Sequence, residues 1–564
     1  MYIVLKMLWH LADKKNKVLF IGLIFFSTIT SFFEVMTISS LLPLFSKILG
    51  VGDDISNISE LSILSETLLK MKLGEEANFI IFSVFLLIAC LCRVFMLWAL
   101  LRYSHKVGSD FGVLIFKKTL QQPFEYHLIT NSNEILSSLT KKIHILSLEV
   151  IHPILYLISN LIIVLSVFLY FTITVGYEVI IFFIFFASIF IIFWLITKQA
   201  IMKNSNIIAS NSDNLVKIVT ETFSAIKLIS LQRIYQKFCE QFDNVNRKLK
   251  YSEGNNVFYS QSIRLWFELI LILLGITFLA LAYKDKTIMG YLPFLGVVAF
   301  GIYRVIPLIL KAYSAFSTLM GARASAKDIY NFLSLKNEIY KQNLKKDLIF
   351  NKTIDVSNVT YSYPKVSNIS LSNINISIKK GELTGIVGET GSGKSTLILL
   401  LCGLISPQRG KISVDGRSLD LKNLENWKSK ISFVPQENII FDGSITSNIL
   451  LGDKEILNWK KLDEILSITK LEKFLDLKNI PNITGERGNK LSGGERQRIG
   501  IARALYAGKE IIILDEPFSS LDKETGEQIL INLKKIRGLT VIVVTHDEFV
   551  VPFCDKIINL NNKH

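Results

Sequence analysis

The chain of 564 residues contains only five cysteines, Cys90, Cys92, Cys239, Cys402 and Cys554. They form no CxxC pair and no zinc-ligand spacing, so the pattern argues against a disulfide framework and favours buried, inert thiols. The N-terminal stretch MYIVLKMLWHLADKKNK is not expected to be a cleavable signal peptide, because its apolar run is short and no small-residue cleavage site follows. Internal repeats and low-complexity tracts are also missing from the sequence.

Hydrophobic residues are abundant by contrast, at 50% of the chain, and the mean hydropathy is +0.40. This composition is too apolar for an ordinary soluble protein, and runs of ~20 apolar residues are long enough to cross a bilayer. The six predicted spans are Val18–Leu49, Phe79–Leu101, Val150–Ile173, Val179–Ile196, Val257–Tyr283 and Ile288–Phe316. The segments after spans two and four are long and helix-like, so these helices are expected to continue into the cytoplasm. Short turns are then expected near Pro123–Asn133 and near Asp213–Ser224.

The net charge of +15 has two possible explanations, a nucleic-acid binder or a membrane protein with basic cytoplasmic loops. Lysines and arginines concentrate at the N-terminus and in the segments after spans two and four, whereas acids such as Asp53 and Asp54 dominate the first external loop. The positive-inside rule therefore predicts a multi-pass protein of the cytoplasmic membrane with both termini in the cytoplasm. No basic patch interleaved with aromatic residues stands apart from these loops, so nucleic acid is not an expected partner.

The first external loop carries Leu61, Leu64, Leu68 and Met71 at helical spacing. An amphipathic helix here would either lie among membrane lipids at the outer surface or pack on its own domain, and the pattern leaves both readings open.

A phosphate-binding loop follows the apolar stretch Leu383–Val387 and precedes Leu397–Leu404. It fits GxxxxGK[ST], and a chance glycine-rich turn is the alternative. Backbone N–H groups at a helix N-terminus would hold the phosphates of ATP. Lys394 would neutralise the β- and γ-phosphates, and Ser395 would ligate Mg²⁺. The predicted nucleotide-binding residues of this loop are Gly388, Glu389, Thr390, Gly391, Ser392, Gly393, Lys394, Ser395 and Thr396.

Two carboxylates, Asp515 and Glu516, end the apolar strand that begins at Ile511. The pattern predicts that Asp515 is held towards the metal and that Glu516 orients and deprotonates the attacking water as a general base. The alternative is a strand end capped by two solvated acids.

The segment Leu491-Ser492-Gly493-Gly494-Glu495 closely resembles the signature motif of ABC ATPases. In that family the signature of one subunit closes on the nucleotide held by the phosphate-binding loop of the other, so the resemblance implies a dimer with a second copy of the chain. It also implies that Ser492 and the N–H groups of Gly493 and Gly494 face the γ-phosphate, with Glu495 also among the nucleotide-binding residues.

Further stretches resemble the family's other landmarks in the same order. The resemblance implies that Tyr363 stacks on adenine, that Gln436 senses the γ-phosphate and the metal, and that His546 contacts the γ-phosphate. Ser519 to Asp522 matches the loop that crosses the dimer interface, with Asp522 among the nucleotide-binding residues. No catalytic position is degenerate, so a homodimer would have two competent sites.

The segment Thr484–Gly488 resembles the loop of ABC exporters that touches the transmembrane helices. The chain is thus similar to an exporter half-transporter, a multi-domain membrane protein in which a six-helix all-α transmembrane domain is fused to an α/β P-loop ATPase domain. The expected domains are residues 1–327, a linker at 328–353, and the ATP-binding domain at 354–564. Pro517 and Asp547 depart from the common exporter pattern, and neither removes a catalytic atom.

Charged residues inside the spans are candidates for contact with the transported substrate. Charges within a bilayer are costly and usually face a cavity or a partner. The candidate pathway residues are Arg93, Arg264, Arg304 and Lys311. Ion pairs with Glu34 or Glu268 that fix helix packing are the alternative.

Three patterns resemble bacterial flippases for lipid-linked oligosaccharides and related surface-glycan precursors: Phe33-Glu34 with Pro43, Arg264 with Glu268, and Tyr303 to Pro307. The resemblance implies a polyprenyl-diphosphate glycan as the substrate, and the diphosphate would suit arginines. An exporter of a peptide, a bacteriocin or another lipid is the alternative. No N-terminal peptidase domain is expected, so an exporter that processes its own peptide is a less favoured interpretation.

Overall fold

The structure is a computed structural model, and it describes residues 13–41, 75–175, 178–284, 292–335, 348–363, 370–389, 391–451, 458–474, 484–485 and 488–560. The chain divides into two compact units. One unit consists of residues 1–121 and 130–336, and the other of residues 122–129 and 337–564.

The first unit is entirely helical over its described residues. Its helices are α1 (Lys14–Ser39), α2 (Glu75–Leu120), α4 (Ser132–Ser137), α5 (His152–Val175), α6 (Glu178–Ser224), α7 (Ile226–Gln232), α8 (Tyr235–Lys284), α9 (Leu292–Gly321) and α10 (Arg323–Leu333). Helix α3 (Phe124–Ile129) belongs to the second unit.

Six of these helices overlap the six predicted spans. Helices α2, α6 and α8 have 46, 47 and 50 residues. At 1.5 Å per residue they are roughly 70 to 75 Å long, more than twice the ~30 Å thickness of the hydrocarbon core. The predicted length of the helices after spans two and four is therefore confirmed, and α8 is equally long. Within the described residues, four helical stretches are long and apolar enough by themselves to cross a membrane: Lys14–Ser39, Glu76–Leu120, Ser132–Thr174 and Ala299–Gly321.

The expected cytoplasmic turns are half right. Helix α2 ends at Leu120 and α3 begins at Phe124, which agrees with a turn near Pro123. The turn expected at Asp213–Ser224 is wrong, because that stretch is helical. The chain turns later, at Ala225 and at Arg233, whose φ of 54° ends α7 in the left-handed region. The amphipathic stretch predicted at residues 61–71 lies outside the described residues.

An irregular helical segment joins α4 to α5. It contains two π-helical turns, Ser138–Lys142 and Leu146–Ile151, separated by one α-helical turn. Insertions of this kind re-aim side chains and occur often at functional positions. Here they accompany Lys142, whose side chain is only 1% exposed.

Lys142 connects three helices through ion pairs. Its Nζ atom lies 2.9 Å from a carboxylate oxygen of Asp213 on α6 and 2.7 Å from Oδ2 of Asp328 on α10. Ser137 also donates a hydrogen bond to Asp213. A buried charge is tolerated only when it is paired and hydrogen-bonded, and Lys142 meets both conditions.

Replacing Lys142 with Met is expected to destabilise the helical unit by about 2 kcal/mol, since removal of one partner of a buried ion pair leaves the other uncompensated. The figure is at the low end because both aspartates keep about a third of their side-chain exposure and can regain water. The measurement is the thermal unfolding midpoint in detergent. Lys141→Met is the control, because Lys141 is 34% exposed and pairs with Glu253. Equal shifts in the two variants would contradict the prediction.

The second unit contains two sheets. The antiparallel sheet has the order β2-β1-β4-β5, formed by β1 (Thr353–Tyr361), β2 (Leu371–Lys379), β4 (Arg409–Val414) and β5 (Arg417–Ser418). The parallel sheet has the order β6-β7-β8-β3-β9, formed by β3 (Leu383–Val387), β6 (Ile431–Val434), β7 (Ile511–Asp515), β8 (Thr540–Val544) and β9 (Lys556–Asn559). The predicted α/β domain with a largely parallel sheet is confirmed.

Four helices pack against the strands: α11 (Lys394–Leu401), α12 (Leu424–Lys428), α15 (Gly493–Tyr506) and α16 (Lys523–Lys534). Two more, α13 (Ile445–Leu450) and α14 (Trp459–Ile468), pack with α15 in a separate apolar cluster. Strands β7 and β8 are apolar along their length, as expected for strands buried on both faces.

The short helix α3 packs within the second unit although the flanking chain belongs to the first. Phe124 lies against that unit's core, which includes Leu400 and Ile405. Glu125 Oε1 accepts a hydrogen bond of 3.2 Å from the backbone N–H of Ser406. The turn after α2 is thus an integral part of the second unit.

Candidate functional site

The topology of the parallel sheet brings the sequence motifs to one edge. The phosphate-binding loop follows β3, Gln436 follows β6, Asp515 ends β7 with Glu516 next to it, and His546 follows β8. All four strands are parallel, so their carboxyl ends meet at one edge, where ligands of α/β sheets bind.

The phosphate-binding loop has the backbone that a nest of N–H groups requires. Gly391 and Gly393 have φ values of +86° and +94°, and α11 begins at Lys394. Lys394 is 9% exposed, and its Nζ donates to the carbonyl oxygens of Gly388 at 2.6 Å and Glu389 at 2.9 Å. The ammonium group is therefore held over the loop. Thr390 lies outside the described residues, and Ser395 is exposed at the first turn of α11.

Gly393→Ala is expected to lower ATP affinity at least ~10-fold, since the loop must distort to admit a side chain. A Cβ atom there would lie 2.5 Å from Leu371 Cδ2 and 2.6 Å from the Ser370 carbonyl oxygen. The measurement is binding of a fluorescent ATP analogue to the purified protein. Gly416→Ala is the control, because Gly416 has a similar φ of +77° and open space around it. Unchanged affinity in Gly393→Ala would refute this role of the loop.

Glu516 lies at the centre of the cluster. Gln436 Nε2 donates a 2.7 Å hydrogen bond to its Oε2, and His546 Nδ1 lies 3.2 Å from its Oε1. Its backbone φ is +46°, a left-handed conformation that is strained for a residue with a side chain, and its N–H donates to the Val544 carbonyl oxygen at 2.8 Å. Strain of this kind concentrates at functional positions.

The neighbouring carboxyl of Asp515 is half-buried. Burial, together with the negative charge of Glu516, raises the pKa of Asp515 to about 6, and the ammonium of Lys394 opposes both effects. Two adjacent carboxylates under a lysine ammonium form a site that is incomplete without more positive charge.

The side chains at this edge of the sheet have the chemistry that ATP and Mg²⁺ require. The Ser392 hydroxyl is buried in the loop and has no hydrogen-bond partner within the described part of the chain. The oxygen of Ser395, the carboxylate of Asp515 and the amide of Gln436 are hard oxygen donors of the kind Mg²⁺ prefers. The assignment of these three residues as metal ligands stays a prediction.

Tyr363 lies beside the phosphate-binding loop. Its hydroxyl is 3.3 Å from Thr396 Oγ1, and its ring meets that of Tyr361 edge-on at 5.3 Å. This position is at the mouth of the nucleotide site, and its stacking on adenine stays a prediction.

The signature motif forms the N-terminus of α15. Ser492 Oγ accepts from the Glu495 N–H at 3.2 Å, and Glu495 Oε2 accepts from the Ser492 N–H at 2.7 Å, so the pair forms a capping box. Lys473 pairs with the other oxygen of Glu495. Glu495 is thus used inside its own chain, while the hydroxyl proton of Ser492 remains available to an anion.

The loop after Glu516 ends at Asp522, which caps α16. Asp522 accepts a 2.9 Å hydrogen bond from the Thr525 N–H, and this bond lowers the pKa of Asp522. The nucleotide role predicted for Asp522 stays a prediction, since the carboxylate already serves as a helix cap.

Sequence reasoning missed two residues next to these motifs. Gln497 is 4% exposed and hydrogen-bonds to the loop after Glu516. Asn438, two residues after Gln436, packs against Gly500 of α15, and its side-chain amide is buried without a partner within the described residues. Neither residue is among the predicted site residues, because their contacts join segments that lie apart in sequence.

In the helical unit, the candidate pathway residues differ in their partners and in their exposure. Glu34 is 1% exposed and pairs with two arginines, directly with Arg93 and at 3.2 Å with Arg304. Arg264 pairs with Glu268 on the exposed face of α8 at 2.7 Å. Lys311 is exposed and lies 6.0 Å from the centre of the Tyr156 ring.

Two family descriptions match separate parts of the chain: "ABC transporter transmembrane region" over residues 18–283 and "ABC transporter" over residues 371–519. Together these parts cover well over half of the chain.

Similar proteins have several different roles. The chain is 40% identical over 212 residues to the "Alpha-hemolysin translocation ATP-binding protein HlyB" of Escherichia coli O157:H7, which is 37% of this chain and 30% of that protein. It is 32% identical over 245 residues to the "Probable multidrug resistance ABC transporter ATP-binding/permease protein YheI" of Bacillus subtilis, 43% of this chain and 42% of that protein. The matched region thus spans less than half of either relative.

The solved structure titled "Structure of a bacterial Atm1-family ABC exporter with ATP bound" superimposes with a TM-score of 0.79 at 17% identity, covering 97% of this chain and 93% of that one. The fold is therefore that of an ABC exporter, and the predicted fold class is confirmed. The ATPase-domain match and the exporter relatives support ATP hydrolysis coupled to transport. Because both parts match ABC-transporter families, the chain belongs to the ABC transporters, as a multi-pass half-transporter whose transmembrane domain is fused to an ATPase domain.

Proposed function

We propose that the chain hydrolyses ATP as a homodimer and uses the energy to move an anionic lipid-linked glycan precursor across the cytoplasmic membrane. The ATPase part of the proposal rests on the cluster around Glu516, where Gln436 and His546 hold the two carboxylate oxygens at 2.7 and 3.2 Å. A carboxylate fixed by two neighbours at the end of a buried strand is well placed to act on water.

The hydrolytic step follows from the roles of these side chains. Glu516 accepts a proton from the attacking water, and its two hydrogen-bonded neighbours keep it oriented. Lys394 and the loop N–H groups stabilise negative charge on the phosphates. Mg²⁺, when held by Ser395, Asp515 and Gln436, would supply positive charge at the phosphoryl oxygens. His546 is exposed enough, at 60%, to turn towards the γ-phosphate once ATP is bound.

The dimer part of the proposal rests on the signature motif. Half-transporter exporters of this family function as dimers. Ser492 and the first turn of α15 form a helix N-terminus of the kind that binds anions. A second copy of the chain would bring its nucleotide to this helix end.

The orientation proposed for the membrane places both termini in the cytoplasm. Arg102 lies 5.7 Å from the Trp98 ring on α2, and Lys198 lies 4.6 Å from the Trp194 ring on α6. A tryptophan followed one helical turn later by a lysine or arginine is typical of a membrane interface. In both pairs the cation lies on the side of the basic segment that follows the span. Both pairs agree with a cytoplasmic boundary near these residues.

The proposed substrate rests on the cluster formed by Glu34, Arg93 and Arg304, called the Glu34 cluster. One buried carboxylate faces two guanidinium groups, so the cluster carries one excess positive charge inside the membrane unit. Arg93 Nη2 is buried and has no hydrogen-bond partner among the described residues. This N–H donor of Arg93 favours a substrate with phosphate oxygens, because a guanidinium group binds phosphate through two parallel hydrogen bonds.

The test is ATP-dependent flipping of a polyprenyl-diphosphate oligosaccharide by the purified protein in sealed proteoliposomes, with Glu516→Gln as the inactive control. Flipping by the parent and none by the variant would support the proposal. ATP hydrolysis without flipping of this lipid would overturn the substrate and direct the same assay to peptides and other lipids.

A further inference from the structure

Gln497 connects two parts of the ATPase unit that belong to different nucleotide sites in the proposed dimer. It lies on α15, one turn after the signature glycines, and is 4% exposed. Its Nε2 donates to Ser519 Oγ at 2.8 Å and to the Glu516 carbonyl oxygen at 3.4 Å, while its Oε1 accepts from the Ser520 N–H at 3.0 Å. Both amide hydrogens and the carbonyl oxygen are therefore used.

The loop that Gln497 holds is also packed against the signature. A Cβ atom on Gly494 would lie 2.8 Å from Leu521 Cδ2 and 2.9 Å from the Ser520 carbonyl oxygen, and one on Gly493 would lie 3.1 Å from Ser520 Cβ. The first turn of α15 and the loop after Glu516 are thus in direct contact. A shift of either one must displace the other, since packed interiors transmit displacement.

At its other end, the same loop begins at the strained residue Glu516. Its N–H donates to Val544 and its carbonyl accepts from Gln497, so the peptide on either side of the carboxylate is tied to a neighbouring segment. The direction of the Glu516 side chain depends on these two ties together with the contacts of its carboxylate.

We infer that Gln497 is a positioning residue that couples the two nucleotide sites of the dimer. This inference rests on the proposed homodimer. The signature of one chain faces the nucleotide of its partner, whereas Glu516 acts on the nucleotide of its own chain. Gln497 joins the two, so closure of the signature on the partner's nucleotide aligns Glu516 in the first chain.

The experiment uses dimers assembled from two differently tagged chains, purified through both tags. One chain carries Glu516→Gln, so hydrolysis takes place only with the Glu516 of the other chain. Gln497→Met is then placed either in the active chain, where it removes the tie to the working Glu516, or in the inactive chain, where it disturbs the signature that covers the working nucleotide.

We expect the residual ATPase rate to fall about tenfold in both arrangements, the effect of losing hydrogen bonds that position a reacting group. The affinity of the phosphate-binding loop for ATP is expected to stay within about twofold, because Gln497 does not touch that loop. A loss confined to the active chain would overturn coupling and leave a local role. Full activity in both arrangements would overturn any positioning role.

Two controls keep these results interpretable. Gln528→Met, on the neighbouring α16 and outside the contacts described above, should leave the rate and the thermal midpoint unchanged. Ser519→Ala removes one acceptor of Gln497 on an exposed residue and should lower the rate about threefold in both arrangements even if Gln497→Met folds poorly. Failure of the two tags to copurify would overturn the dimer and with it the coupling, whereas an active dimer insensitive to Gln497→Met and Ser519→Ala would overturn the coupling alone.

Discussion

Glu516→Gln should lower the rate of ATP hydrolysis at least ~100-fold, the usual contribution of a positioned general base. The amide keeps the shape of the side chain and can still contact Gln436 and His546, so the site should assemble normally. ATP affinity is expected to change by about twofold at most, because the base acts only in the transition state. The measurements are phosphate release and retention of bound nucleotide.

A matched acid on the surface provides the control. Glu527→Gln removes a carboxylate on α16 that lies 3.8 Å from Lys523 in an exposed pair, and such pairs contribute little. This variant should hydrolyse ATP at the parent rate. A Glu516→Gln protein that still turned over ATP like the parent would show that another group deprotonates the water.

Glu34→Gln should destabilise the helical unit by about 3 kcal/mol or more, since it leaves two guanidinium groups together in the membrane without a counter-charge. Glu34 is 1% exposed and Arg304 is 10% exposed, so water can replace the lost carboxylate only poorly. The measurements are the yield of folded protein and the thermal unfolding midpoint in detergent.

Arg304→Gln should behave differently although it alters the same cluster. The Glu34–Arg93 pair remains and is neutral overall, so folding should be preserved within about 1 kcal/mol. Flipping of the diphosphate lipid should fall at least ~10-fold, because the excess positive charge is gone. Preserved flipping in a well-folded Arg304→Gln protein would assign the cluster to helix packing alone.

The interpretation of Arg264 and Lys311 depends on whether each side chain already has a partner of opposite charge. Arg264 already has Glu268 as a partner one turn away on an exposed helix face, which is the ordinary environment of a surface pair. Lys311 has an aromatic ring 6.0 Å away and forms no ion pair with a carboxylate in the described part of the chain. Of the two, Lys311 is therefore the better candidate for contact with an anionic substrate.

The sequence by itself determined the class of the protein. Six apolar runs, the basic segments between them and the ordered motifs around Lys394, Ser492 and Asp515 each depend on local composition or spacing. A run of ~20 apolar residues must be removed from water by a membrane or a core, and a glycine-rich loop before a helix offers backbone N–H groups that suit a phosphate.

Only the tertiary structure decided which of these residues meet. The strand order β6-β7-β8-β3 puts β8, and so His546, between the phosphate-binding loop and Glu516, and sequence order does not reveal it. The joint pairing of Glu34 with Arg93 and Arg304, the burial of Lys142 and the contacts of Gln497 likewise join segments up to 270 residues apart. Such contacts are set by helix packing and strand order, which no short window of sequence contains.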